Sequence, residues 1–209
     1  MNKFEESLVH TLGEENLKKL QSEKIGIAGA GGLGSNCACN LTRCGFKNFV
    51  ICDYDKIQYS NLNRQFFFYN QAGKHKVEAL NENLKAINPD INVEILSIKI
   101  TKKNIKKIFR NCSAVIEAFD DAKYKSMIAE TYANSDKLLV CASGIAGWGN
   151  SDEIRVKKIN ETFFVVGDFV SEAGINVPPI SPRVNIASAK QADIVLNYFL
   201  NKNEVNLVE

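Results

Sequence analysis

No C-x-x-C pair occurs among the six cysteines of this 209-residue sequence, Cys37, Cys39, Cys44, Cys52, Cys112 and Cys141. Structural zinc sites use paired ligands at that spacing, so no structural zinc is expected. Cys37 and Cys44 fall in a predicted helix, and Cys52 and Cys141 in apolar, strand-like runs. They read as small buried thiols of a reducing compartment. No apolar run approaches the roughly 20 residues that span a bilayer, and the opening MNKFEESLVH lacks the apolar core of a secretory signal. No charge of one sign dominates either: a net charge of +2 makes no electrostatic case for nucleic acid or a membrane surface. The expectation is a cytoplasmic protein without nucleic-acid or membrane partners. What is present is ordinary for a globular chain, 45% hydrophobic and 24% charged residues. The length suits one domain, residues 1–209, with a core that needs no covalent staples.

The periodicity predicts alternating elements. Phe4, Leu8, Leu12, Leu17 and Leu20 form an imperfect helical stripe broken at Gly13. KIGIAG (24–29) reads as a buried strand, LGSNCACNLTRCG (33–45) as a helix closed by glycine, and NFVICD (48–53) as a second strand. Together they make a β-α-β unit, which requires parallel strands. A helix over 74–88 stopped by Pro89, a strand over 91–100, and a helix capped by Thr101 follow. Strands over 113–119 and 137–143 then flank a further helix. This is the order of an open, doubly wound α/β fold with a mainly parallel sheet. Residues 144–183 break the rhythm with a glycine-rich GIAGWGN, two segments alternating like antiparallel strands, and VPPISPR. They read as an excursion from the same domain before a C-terminal helix from Val184.

The first chemical signal is GAGGLGS, which places Gly29, Gly31 and Gly34 in G-x-G-x-x-G spacing between a strand and a helix. Glycines permit a tight turn and close approach to phosphate, and the helix start offers free N–H groups. Asp53 ends the next strand about twenty residues on, where an acid accepts ribose hydroxyls. The second signal is SNLNRQ (60–65), expected along the carboxyl edge of the sheet. Arg64 is a rigid fork of donors suited to phosphate, Asn61 and Asn63 can bind phosphate, water or metal, and Lys76 adds a point charge. Asp120, at the end of a strand, is placed to hold a magnesium ion bridging phosphates. An arginine, a lysine and a metal-binding acid point to a triphosphate rather than to NAD. Each residue has a plainer reading beside this one. Arg64 and Asn63 can fix a loop, Lys76 can be helix surface, and Asp120, next to Asp121, can cap a helix. Lys102, Lys103, Lys106 and Lys107 read as a solvated face. Trp148 either packs over a partner's tail or anchors its loop. Arg183 either recognises a partner or pairs with an acid such as Asp168.

GIAGAGGLGSN, ICDYDKIQYSNLNRQ, GKHKVEALNENLKAINP and EAFDD together resemble the ThiF/MoeB family, relatives of ubiquitin-activating enzymes, over most of the chain. Its shortness, with SGIAGWG and SPRV, is similar to compact ThiF-type proteins assigned to sulfur-carrier activation. The resemblance implies a Rossmann-like fold with an antiparallel extension and a C-terminal helix. It also implies adenylation, with ATP and Mg2+, of the C-terminal glycine carboxylate of a small ubiquitin-like, ThiS-like carrier ending in Gly-Gly. Thiamine biosynthesis and a homodimer are the pathway and assembly it suggests. Carried over by motif, Gly29, Gly31, Gly32 and Gly34 hold phosphate, and Asp53 holds ribose. Asp55, Asn61, Asn63, Arg64, Gln65 and Lys76 complete the nucleotide site, and Asp120 binds magnesium. Arg64, Lys76 and Asp120 are the expected catalytic set. A carboxylate is already ionised at neutral pH and needs no strong base, so the presence of only His10 and His75 is no obstacle. Two departures shape the expectation. No cysteine follows Ser143, so no covalent thioester is expected on the excursion. No arginine precedes Arg43, so an N-terminal arginine lent to a neighbouring site has no counterpart. The alternatives are adenylation of another carboxylate, as in tRNA-modifying dehydratases of the same superfamily, and a scaffold that binds nucleotide or partner without turnover.

Overall fold

Residues 1–201 are described by the computed structural model. Helix α1 (Lys3–Leu12) starts where the Asn2 side chain accepts the Glu5 N–H at 3.0 Å. Gly13, at φ +82°, separates it from α2 (Glu14–Ser22), whose Leu17 and Leu20 are buried. The expected β-α-β unit follows as β1 (Lys24–Ala28), α3 (Gly32–Arg43) and β2 (Asn48–Cys52), with the two strands parallel. Then come α4 (Lys76–Ile87), β3 (Asn92–Leu96), α5 (Ile105–Ile108), β4 (Ala114–Glu117), α6 (Ala122–Tyr132) and β5 (Leu138–Ala142). The excursion supplies β6 (Arg155–Asn160) and β7 (Phe163–Gly167), and α7 (Ser181–Asn201) closes the described chain.

The seven strands form one sheet in the order β3-β2-β1-β4-β5-β7-β6. All neighbours are parallel except β6 and β7, so the antiparallel extension is the single edge strand β6. The fold is therefore the Rossmann-like α/β class expected. Strand alternation builds two cores. Ile25, Ile27, Phe49, Ile51, Ile116 and Val140 face α3, α4 and α7. Val50, Cys52, Val115, Leu139 and Cys141 face α5 and α6. Strand β1 lies between β2 and β4, and the chain leaves it in one direction and returns on its other side. That reversal opens a crevice at the carboxyl ends of the strands. Helix α7 is tied to the crevice floor, because Gln191 Nε2 donates to the Glu117 carbonyl at 3.1 Å.

Some boundaries differ from expectation. The strand predicted over 91–100 ends at Leu96. The helix predicted from Thr101 is one turn, Ile105–Ile108, preceded by Asn104. The Asn104 carboxamide accepts the Thr101 N–H at 2.7 Å and folds 101–104 into a turn. Helix α7 begins at Ser181, three residues before Val184, since Pro182 suits the first helical turn. Of the domain span 1–209, residues 202–209 lie outside the described part. Lys102, Lys103, Lys106 and Lys107 are all exposed, as a solvated face requires. No described helix is long and apolar enough to cross a membrane.

Candidate functional site

A cleft of about 640 Å³ opens at the carboxyl ends of β1, β2, β4 and β5. Its base is the glycine turn. Gly29 sits at φ +104°, where a side chain is strained, and a methyl there would press on the Ala118 carbonyl oxygen at 2.8 Å. A methyl on Gly34 would collide with the Gly29 carbonyl, so this glycine lets α3 lie against the turn. Gly31 differs: its missing side chain points at open cleft, with Gln65 Nε2 the nearest atom at 3.8 Å. No side chain caps α3 at Gly31, which leaves the first-turn N–H groups to a ligand. Asp53, half-buried in the cleft wall, accepts the Ala30 N–H at 2.7 Å and the Asp55 N–H at 2.8 Å. Its first task is thus to tie the glycine turn to the end of β2, while each oxygen keeps a lone pair for a hydroxyl.

SNLNRQ is pinned onto α3 by two residues that sequence reasoning passed over. The Asn36 amide donates to the Arg64 carbonyl at 2.8 Å, and Ser35 Oγ accepts the Phe66 N–H at 2.9 Å. Arg64 therefore reaches the cleft with its stem across Gly32. Its Nη1 donates to Asn63 Oδ1 at 2.7 Å and to the Ser60 carbonyl at 3.2 Å. Asn61 caps its own turn by accepting the Gln58 N–H at 3.0 Å. Neither Asn61 nor Asn63 lines the cleft; Asn63 acts on Arg64. Gln65 is buried and its Oε1 has no hydrogen-bond partner among the described residues, an atom left for a ligand or water. Lys76 opens α4 with its side chain 8% exposed and bonds Asp55 at 2.7 Å. Lys76 is thus a buried, paired cation at a helix N-terminus, where it opposes the macrodipole, and is not ordinary helix surface.

Across the cleft, Asp121 takes the capping role, accepting the Lys123 N–H at 2.7 Å. The neighbouring Asp120 carboxylate makes no hydrogen bond or ion pair among the described residues and lines the cleft. No group of three or more His, Cys, Asp or Glu among those residues could hold a metal alone. A magnesium ion here would take Asp120 together with phosphate oxygens, the usual arrangement for this cation. Tyr54, Lys99 and Tyr124 also line the cleft, with Lys99 Nζ 5.7 and 5.5 Å from the two ring centroids. Tyr124, by hydrogen bond and charge, and then Tyr54 hold the Lys99 ammonium pKa above its ordinary value. Tyr54 stands within ICDYDKIQYSNLNRQ, but Lys99 and Tyr124 lie in no motif, so their meeting with it shows only in three dimensions.

Beneath Asp120, Glu117 is buried and paired by Lys125 Nζ at 3.0 Å to both oxygens, while the Phe119 N–H at 2.7 Å and the Ala142 N–H at 3.2 Å also donate to it. Lys125→Met would leave that carboxylate without its counter-charge. The expected loss is about 3 kcal/mol, read as a lower urea midpoint at unchanged slope. The far wall of the cleft comes from 143–146 and 171–173. Behind it Arg183 pairs with Asp168, which decides between the two readings of that arginine. Trp148 is 69% exposed, so it does not anchor its loop by burial.

A glycine turn at a helix start, an acid on the next strand and converging cations define the site of a nucleotide-binding α/β protein. Residues 5–207 match the ThiF family, and the chain belongs to it. It is 41% identical to ubiquitin-like modifier-activating enzyme 5 of Drosophila erecta over 216 residues, covering 92% of this chain and 54% of that protein. The same enzyme of Xenopus laevis is 44% identical over 87 residues, covering 42% of this chain and 22% of that protein. The chain thus spans about half the length of the Drosophila relative, and the matched part of the Xenopus relative is smaller still. Among solved structures, E. coli tRNA N6-threonylcarbamoyladenosine dehydratase with AMP superposes with a TM-score of 0.84 at 21% identity, covering 96% of this chain and 95% of that one. E. coli MccB with ATP gives 0.69 at 19% identity, covering 97% and 64%. These likenesses establish the fold.

Proposed function

We propose that this chain is an ATP-dependent adenylyltransferase acting on the terminal carboxylate of a small ubiquitin-like protein. One observation carries the reading: Gly31, Arg64, Lys76 and Asp120, from four separate segments, line one cleft. In the proposed reaction a carboxylate oxygen attacks the α-phosphorus of ATP, the bond to the β-phosphate oxygen breaks, and acyl-adenylate and pyrophosphate leave. No proton transfer is needed, so the work is orientation and charge neutralisation. The α3 N–H groups and Arg64 would hold the phosphates, Lys76 would share its charge between Asp55 and the leaving pyrophosphate, and Asp53 would orient the ribose. Magnesium, held through Asp120, would supply charge neutralisation when bound. The reading treats the chain as one adenylation unit and extends to a homodimer.

The carrier's class is supported by the Drosophila and Xenopus relatives, whose name describes activation of ubiquitin-like modifiers. A thiamine-type sulfur carrier is the narrower possibility within that class and draws no separate support from them. A second reading, activation of a tRNA-borne carboxylate, rests on the fold shared with the E. coli dehydratase, and the near-neutral net charge weighs against it. ATP–pyrophosphate exchange separates the two. Stimulation by a carrier ending in Gly-Gly, with a carrier mass increase of one AMP, supports the first; stimulation by tRNA alone overturns it in favour of the second.

The thiols bear on the fate of the adenylate. Of the six thiols only Cys52 lines the cleft, and burial pushes it up to about 12; burial likewise pushes Cys112 to about 11 and raises Cys37, Cys44 and Cys141. Such groups are inert as nucleophiles at neutral pH. The expected product with this chain is therefore free acyl-adenylate, and denaturing gels without reductant should show no chain–carrier conjugate. A thiol-labile conjugate would contradict this.

A further inference from the structure

The glycine turn, Asp53, Arg64 and Lys76 make one wall of the cleft, and they do not depend on residues 143–183 for their hydrogen bonds. The opposite wall is built from two loops of that excursion, 143–146 and 171–173. Neither loop belongs to a strand or helix, yet both are heavily restrained. Arg183, 5% exposed in the first turn of α7, donates to the Gly149 carbonyl at 2.9 Å and the Asn150 carbonyl at 3.3 Å, and it pairs with Asp168. Asp168 in turn accepts the Val170 and Ser171 N–H groups, both at 2.8 Å. Ser171 Oγ accepts the Ala146 N–H at 3.2 Å, which joins the two loops directly.

Two non-glycine residues with positive φ sit in this network, Asn150 at 44° and Phe169 at 63°. Asn150 carries one of the carbonyls that Arg183 binds, and Phe169 follows Asp168. Backbone in this region persists only where surrounding structure holds it, and it concentrates at binding sites. Gly144 belongs to the same arrangement, since its carbonyl accepts the Asp168 N–H at 2.8 Å and a methyl on it would collide with the Asp168 carboxylate. Burial raises the Asp168 pKa, but the Ser171 and Val170 N–H groups and then Arg183 outweigh it and hold the carboxyl below its ordinary value.

The geometry points to Arg183, through Asp168, as the positioning residue that fixes the acceptor-side wall of the cleft independently of its nucleotide-side wall. The inference rests on the adenylation reading for the word acceptor. One guanidinium reaches three groups flanking the two loops, at 149–150 and 168, because its donors form a planar fork, which an ammonium does not reproduce. Loosening the pair should widen or misplace the channel by which a carboxylate approaches the α-phosphate, while the phosphate site stays intact.

Arg183→Lys and Asp168→Asn test this in the full chain with three readouts. Amide hydrogen exchange at 144–150 and 168–173 is expected to quicken at least tenfold in both variants, with β1, β2 and α3 unchanged. Mg-ATP affinity, by titration calorimetry, is expected to stay within twofold of wild type. In pyrophosphate exchange with the Gly-Gly carrier, KM for the carrier is expected to rise at least tenfold with kcat reduced less than threefold. Unchanged exchange in the loops in both variants overturns the inference, and so does a fall in ATP affinity as large as the rise in carrier KM. A wild-type chain that turns over no carrier sinks the functional reading instead. The amide and ATP measurements then still decide whether Arg183 holds this wall alone.

Discussion

Arg64→Ala is expected to lower adenylation kcat/KM by about 10²–10³-fold, because charge-bearing donors aimed at developing charge contribute about that much when removed singly. Stability should change by less than about 1 kcal/mol, since among the described residues the guanidinium bonds only Asn63 and the Ser60 carbonyl, in an exposed loop. The link to Asn36 uses the Arg64 backbone and survives the substitution. Arg64→Lys separates charge from geometry. If two phosphate oxygens are held in fork fashion, lysine recovers little of the rate. ATP–pyrophosphate exchange beside a urea melt measures both quantities, and normal exchange by the alanine variant would remove Arg64 from the site.

The second large effect divides two glycines of one motif. Gly34→Ala drives a methyl into the Gly29 carbonyl, and neither backbone can retreat without moving β1 or α3. A loss of about 3 kcal/mol or more is expected, seen as a melting temperature lower by several degrees or as insoluble chain. Gly31→Ala meets nothing nearer than Gln65 Nε2 at 3.8 Å and should fold at close to wild-type stability. Its methyl occupies cleft that a phosphate would use, so Mg-ATP affinity should fall at least tenfold. The contrast is diagnostic: a stable Gly31→Ala chain with unaltered ATP binding would place the phosphates elsewhere.

How much of the molecule is legible in its sequence varies with the range of the interaction. Strands β1, β2, β4 and β5 are short apolar runs with β-branched residues, and burial on both faces gives them nothing else to become. Glycine spacing marks the turn because Gly29 and Gly34 answer local steric demands. The 101–104 turn is hidden because a side chain closes it: the Asn104 carboxamide accepts the Thr101 N–H, a local bond that apolar periodicity does not register. In the site, Arg64, Lys76 and Asp120 stand in motifs and do line the cleft, whereas Asn61 and Asn63 look equivalent to them and serve the loop instead. Tyr54, Lys99 and Tyr124 meet only after β2, β3 and α6 are assembled. The Arg183–Asp168 partnership is one of two readings open to the sequence, and only the folded excursion selects it.

Helix α7 has a consequence for biosynthesis. Val184 packs over Gly32, Gln191 holds the end of β4, and Ala187 and Val195 enter the core shared with α3. A ribosome must therefore translate past this helix before the glycine turn gains its covering. Until then the emerging polypeptide presents the apolar flank of β1, β4 and β5 to water. Nonsense mutations shortly before the codon for Ser181 should consequently yield chains handed to chaperones or proteases rather than partly active fragments.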